Sequence, residues 1–265
     1  MDMAAQAKAG RLTVGDGAEA REIAYVALPA TPAGANLPGF VWLGGFKSDM
    51  TGTKAMEIEQ FAAKTGRACL RFDYSGHGAS GGTFEDGTIS RWLEESLAVI
   101  RSQTKGRLVL VGSSMGGWIA LLAARALAAA GEADRIAGMV LIAPAVDFTS
   151  TLMEPSLSAR AKAEIETTGR WLRPSEYSPE PYPITKALLD DGRKHLLFGT
   201  AIRTYGPAHI LQGMQDPDVP WRHALALVEH LADDPATLSF ISDGDHRLSR
   251  DQDIARLIAA VAEVK

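Results

Sequence analysis

The chain has one cysteine, Cys69, in 265 residues. A lone cysteine forms no internal disulfide, and it fits a reducing compartment. Within "RACLRFDY" it reads as a small buried hydrophobe rather than a nucleophile. The chain also lacks HExxH, paired CxxC and a P-loop lysine, so no metal and no organic cofactor is expected. Long apolar runs are missing too. The longest, "WIALLAARALAAA", is interrupted by Arg125 and is too short to span a bilayer. The charge excess is small, with a formal net charge of −5. A mildly acidic chain has no general attraction for phosphate backbones or anionic lipid heads, so neither nucleic acid nor stable membrane insertion is expected. The opening "MDMAAQAKAG" shows no charged n-region followed by an apolar h-region. It reads as a frayed tail, and the expected location is cytoplasmic.

What is present is a composition 46% hydrophobic and 22% charged, enough to build one large core without staples. Short β-type runs alternate with stretches of helical period. "REIAYVAL", "FVWLGGF", "ACLRFDYS", "RLVLVGS", "IAGMVLIAPAV", "HILQGMQ" and "ATLSFISDG" read as strands. "TKAMEIEQFAAKTG", "TISRWLEESLAVIRSQT", "MGGWIALLAARALAAAG", "WRHALALVEHLADD" and "QDIARLIAAVAEV" read as helices, with Gly66 closing the first and Thr88 or Ser90 capping the second. This alternation implies an α/β fold with a mostly parallel sheet covered on both faces. The region "VGDGAEAREIAYV" implies an antiparallel hairpin at its edge. Residues 147–205 break the rhythm with proline-separated helical pieces such as "LSARAKAEIETTGRWL". They are expected to form a small helical lid inserted into a core of residues 1–146 and 206–265.

In "VGSSMGG" the run Gly112-Ser113-Ser114-Met115-Gly116 fits G-x-S-x-G. Its place directly after "LVLV" and before "WIALLAARA" is the strand–turn–helix setting that lifts a serine hydroxyl above a sheet edge. A glycine-rich structural turn is the plainer reading, and the setting favours the reactive serine. Met115 N–H, at the helix start, is free to stabilise an oxyanion. A serine hydroxyl needs a base. Of the six histidines, His246 in "SDGDHRLSR" follows the last strand and shares the sheet edge with Ser114. His223 and His230 lie seven apart on one helix and read as packed or solvated surface. The imidazole in turn needs a carboxylate. "QGMQDPDVPW" offers Asp216, favoured by its position after the strand end, and Asp218, better placed as a helix N-cap. Asp243 and Asp245 are weaker candidates. Gly44-Gly45-Phe46 follows "FVWL" at once, which makes Phe46 N–H a candidate second oxyanion donor. Leu152, Met153, Trp171 and Leu172 could line an apolar channel with Phe46, or simply pack lid helices.

The stretches "GTKA", "FDYSGHGAS", "GSSMGGW", "GMQDPDVPW" and "DHR" make the chain resemble the α/β-hydrolase superfamily over nearly its whole length. Within it, the chain is most similar to the branch of mitochondrial palmitoyl-protein thioesterases, also described as acyl-glucuronide esterases. The resemblance implies the α/β-hydrolase fold, with Ser114 as nucleophile, Asp216 as acid, His246 as base, and Phe46 and Met115 as oxyanion donors. It also assigns "DYSGHGAS" to a structural loop. Many relatives carry His-Gly where this chain has Gly44-Gly45, so any support from that histidine is absent. The expected activity is cleavage of carboxylic esters or acyl thioesters of small molecules or acylated proteins. A serine peptidase or aminopeptidase and a non-catalytic binding protein are the competing readings. A serine at the elbow disfavours an aspartate-nucleophile hydrolase.

Overall fold

The computed structural model describes residues 6–174, 180–231 and 234–265. Among these residues ten strands run in chain order as β1 (Lys8–Val14), β2 (Arg21–Leu28), β3 (Gly39–Leu43), β4 (Cys69–Phe72), β5 (Leu108–Ser113), β6 (Ile136–Ile142), β7 (Arg170–Arg173), β8 (Tyr182–Thr185), β9 (Ala208–Gly213) and β10 (Ala236–Ile241). Eight of them form one sheet in the order β1-β2-β4-β3-β5-β6-β9-β10. From β4 to β10 every pairing is parallel. Pairing is antiparallel only between β1 and β2 and between β2 and β4. β7 and β8 pair separately, antiparallel.

All six residues of β5 are buried, as the unbroken run "LVLV" implies. Leu108 and Leu110 pack into one apolar cluster, and Val109 and Val111 into the cluster on the opposite face. Seven helices supply most of the cover: α1 (Thr53–Thr65), α2 (Ile89–Gln103), α3 (Met115–Ala129), α4 (Ala159–Thr168), α5 (Lys186–Gly192), α6 (Trp221–His230) and α7 (Asp251–Glu263). Ile58 of α1 and Leu257 of α7 lie in the cluster with Val109. Trp92 of α2, Ile119 of α3 and Leu227 of α6 lie in the other. Gly66, in the left-handed conformation at φ 71°, ends α1. The Thr88 hydroxyl caps α2 by accepting from Arg91 N. Among the described residues, no helix is long and apolar enough to cross a membrane.

Three expectations are corrected. Lys8–Gly10 are not a frayed tail. They pair with Ala27–Tyr25 in β1, while residues 1–5 lie outside the described residues. The helix expected through Trp171 and Leu172 stops at Gly169, which takes φ 83°, and both residues fall in β7. The helix from Trp221 ends at His230, and Leu231 is extended. Residues 147–205 therefore hold a β-ribbon as well as helices; Pro179 of this segment lies outside the described residues. The described part of the segment is tied to the body at several points. The buried Asp147 carboxylate accepts from Leu197 N and Phe198 N, at about 3 Å. Asp191 accepts from Ser90 N and Ser90 Oγ at the start of α2. Phe148, Leu157, Ile165 and Leu188 belong to the same apolar cluster as α2 and α3.

Candidate active site

The strand order changes direction at β3: its successor β4 lies on one side and β5 on the other. Loops leaving the carboxyl ends of β3 and β5 therefore diverge and open a crevice. Ser114 stands in that crevice, on the single residue between β5 and α3. Its backbone takes φ 55° and ψ −120°, a strained conformation for a non-glycine residue. Packing enforces it. A Cβ on Gly112 would lie 2.3 Å from Gly116 O, and one on Gly116 would lie 2.0 Å from Leu43 O. Ser114 N donates to Ile142 O at 2.8 Å, and Ser114 O accepts from Ala145 N at 3.0 Å.

His246 lies on the loop between β10 and α7, and Asp216 on the loop between β9 and α6. The imidazole joins all three side chains. His246 Nδ1 is 2.8 Å from Asp216 Oδ2, and His246 Nε2 is 3.1 Å from Ser114 Oγ. A carboxylate can only accept from Nδ1–H, so Nε2 is left to accept the serine proton. The Asp216 side chain has no exposed surface, and all its lone pairs are engaged. Oδ1 accepts from Asp218 N and Val219 N at 2.9 and 2.8 Å. Oδ2 accepts from His246 and, at 3.2 Å, from Gln212 Nε2. Ligand atoms of Asp216, Asp218 and His246 lie within 4.8 Å of one another.

Phe46 lines the same cavity as Ser114, and Met115 directly follows the serine in the chain. Among the described residues, neither Phe46 N nor Met115 N donates a hydrogen bond. Met115 N belongs to the first turn of α3, where the helix dipole favours negative charge. The Ser114 side chain opens into a cavity of about 1000 Å³. Phe46, Phe148, Leu152, Met153, Tyr182 and Val219 give it apolar walls, and Lys47, Asp49, Lys54, Arg173 and Arg247 line it with charge. Phe46 packs its ring against Phe84, Trp92, Phe148 and Tyr182, with centroids 4.9–6.0 Å away.

Of the four residues expected to line an apolar channel, the cavity takes Leu152 and Met153 and leaves out Trp171 and Leu172. The reason is strand alternation in β7. Trp171 turns inward and packs on the main core, while Leu172 points to solvent at 47% exposure. Asp218 is not the N-cap of α6, whose N-cap is Pro220; its amide serves Asp216 instead. His223 is no surface residue: it is buried, 2.8 Å from Val146 O, and burial lowers its pKa. Asp245 turns away from His246 to accept from Leu248 N at 2.9 Å. Asp243 is exposed and paired with Arg250.

Two supporting side chains escaped the sequence. Gln212 is fully buried and holds the Asp216 loop from both sides, donating to Gly213 O, Asp216 Oδ2 and Val219 O. A polar residue directly after the buried Ile210 and Leu211, near the carboxyl end of β9, was the signal. Lys54, on α1, donates to Arg247 O, next to His246. Desolvation lowers this ammonium to about 8, against the opposing pull of Asp245.

Residues 28–264 match the Alpha/beta hydrolase family. The chain belongs to that family. Family membership makes it a hydrolase, and its fold is the α/β-hydrolase fold. The chain is 33% identical over 228 residues to human "Palmitoyl-protein thioesterase ABHD10, mitochondrial", covering 86% of this chain and 72% of that protein. The structure of mouse alpha/beta hydrolase domain-containing protein 10 is 30% identical, with a TM-score of 0.83 over 97% of each chain. A presumed hydrolase from Agrobacterium vitis S4 is 52% identical, with a TM-score of 0.94, covering 98% of this chain and 100% of its own.

Proposed function

We propose that this α/β hydrolase cleaves carboxylic esters or acyl thioesters through an acyl-enzyme on Ser114. One observation carries the reading: the His246 imidazole lies 3.1 Å from Ser114 Oγ and 2.8 Å from the buried Asp216, at the wall of a large cavity with apolar lining. His246 Nε2 takes the proton of Ser114 as Oγ bonds to the acyl carbonyl carbon. Asp216 holds the tautomer and stabilises the imidazolium that forms. The carbonyl oxygen, now carrying the charge, is received by Phe46 N–H and Met115 N–H, each worth on the order of 3 kcal/mol of barrier. The imidazolium then gives its proton to the departing oxygen or sulfur. Water, deprotonated by the same nitrogen, releases the acid and restores Ser114.

The segment 147–205 acts in this reading as a lid, since Leu152, Met153 and Tyr182 from it wall the cavity. The apolar wall and the thioesterase relatives support a fatty acyl group as the acid part, carried by a small molecule or a protein. The buried, unpaired Cys69 supports a reducing compartment such as the cytoplasm, although the ABHD10 relatives carry the name mitochondrial. The test is labelling with a fluorophosphonate probe, followed by hydrolysis of p-nitrophenyl esters and acyl thioesters of increasing chain length. Labelling should vanish in Ser114→Ala, and an aminoacyl amide should stay intact. Labelling of Ser114→Ala at the wild-type rate removes the serine from its role. Preferential amide cleavage turns the reading into a peptidase.

A further inference from the structure

We infer that His77 is a positioning residue for the oxyanion-binding loop, an inference that rests on the role proposed for Phe46 N–H. The loop after β3 passes through Phe46 into Lys47, which stands at φ 59° without being glycine. Something must hold that backbone in the left-handed region. Lys47 N donates to His77 Nε2 at 3.1 Å. The amide braced is the one that directly follows the proposed donor. Inside the loop, Ser48 Oγ closes on Gly45 O at 2.8 Å. His77 ties Lys47 to a separate part of the fold, and further along the loop Met50 N donates to Asp73 Oδ1 at 2.6 Å.

The histidine is itself immobilised. Its Nδ1 is 3.1 Å from Ser75 O, which assigns the ring proton to Nδ1 and leaves Nε2 as the acceptor. Its ring is wedged edge-on against Tyr74, Phe84 and Trp92, at centroid distances of 5.7, 5.1 and 5.3 Å. Ser75 is fixed in turn by Glu95, whose carboxylate accepts from Ser75 N and Ser75 Oγ at 2.8 and 2.7 Å. Glu95 is fully buried and bound to Arg21 Nε at 2.5 Å. A run of fixed contacts thus leads from β2 and α2 to the loop carrying Phe46. Burial keeps the ring neutral, lowering its pKa to about 4, so the accepting lone pair persists through the neutral range. Gly44 and Gly45 provide no side chain for this purpose, and His77 reaches the loop from the "DYSGHGAS" segment instead.

A histidine that merely filled space could be replaced by another aromatic ring. A brace could not, because the Lys47 amide would lose its acceptor. The experiment compares His77→Phe, which keeps a ring without an acceptor, with His77→Gln, whose amide oxygen reaches the position of Nε2. Both are assayed on p-nitrophenyl butyrate beside wild type and Ser114→Ala. His77→Phe should lose roughly 10- to 100-fold in kcat with KM within about threefold, since the loss falls on transition-state contacts. His77→Gln should stay within about fivefold of wild type. Equal losses in both variants, or wild-type kcat in His77→Phe, overturn the inference. A second measurement uses wild-type protein and does not depend on a variant folding: ¹⁵N spectra of the His77 ring should show the Nδ1–H tautomer, and an Nε2–H tautomer overturns the brace. An active Ser114→Ala would instead sink the proposed catalytic reading. An inert Ser114→Ala beside an unaffected His77→Phe sinks only the role of His77.

Discussion

The elbow that presents Ser114 depends on a contact that one methyl group would destroy. In Gly116→Ala the new Cβ would sit 2.0 Å from Leu43 O and 2.6 Å from Gly44 O. Both are backbone atoms of the strand end and the loop leading to Phe46, so no side chain can swing aside. Restoring ordinary contact requires the start of α3 to move from the end of β3 by about 1 Å or more. Overpacking of this kind costs about 1–3 kcal/mol, and rigid backbone on both sides places it toward the upper figure. The same displacement separates Ser114 Oγ and Met115 N–H, which ride on α3, from Phe46 N–H, which rides on the β3 loop. A misplacement of about 1 Å in such an array costs on the order of 10² in rate. Urea unfolding and ester kinetics on the purified variant check both numbers. Gly81→Ala is the control, because its Cβ would meet nothing nearer than 3.6 Å. A Gly116→Ala enzyme with the wild-type urea midpoint and kcat would refute the account of the elbow.

Asp216→Asn should keep the fold and lower kcat by roughly 10⁴, as the amide favours the wrong imidazole tautomer; steady-state kinetics reads it, and a loss under tenfold would count against Asp216. His77 gives an acid-side stability effect. Its folded pKa of about 4 lies below the ordinary value of 6.5, so its contribution is complete above pH 6.5 and is lost as pH falls toward 4. By linkage about 2 kcal/mol should be gone at pH 5, and urea titrations at pH 5 and 7.5 should show this loss in wild type but not in His77→Gln. Leu152→Trp should lower kcat/KM for hexadecanoyl thioesters far more than for acetyl esters, while Leu172→Ala, on the solvent side of β7, should change neither; a chain-length series of substrates decides.

The parts of this molecule written in short, local patterns were readable before any coordinates. β5 is recognisable because a strand buried on both faces must be apolar at every position, and "LVLV" is. The turn after it is recognisable because its close approaches admit only glycine at 112 and 116. The expectations that failed lie where local pattern and tertiary context diverge. β1 is an edge strand, paired on one side and largely exposed, so "KAG" carries no apolar alternation to reveal it. Trp171 and Leu172 continue the helical composition before them. Gly169, at φ 83°, breaks that composition, and pairing with Ile184 and Pro183 of β8 turns the pair into ribbon.

The site's support was harder to read for a different reason. The proposed triad comes from loops after β5, β9 and β10, and the fold's chain order makes those loops converge. The groups that hold those loops follow no such order. Lys54 reaches the histidine loop across 193 residues of chain, and Gln212 holds the aspartate loop from within its own strand. The Lys47 amide rests on His77, thirty residues later in sequence. Each acts through polar contacts to backbone atoms or to a shared carboxylate, and a backbone atom leaves no signature in the sequence of residue types. The consequence is an asymmetry that mutation can expose. Conservative exchanges at the proposed reacting side chains should abolish turnover while leaving stability nearly intact, because Ser114 and His246 are only half-buried, at the cavity wall. Exchanges at Gln212 and Gly116 should erode stability and turnover together, because these residues hold catalytic backbone in place by packing and hydrogen bonding within the buried body.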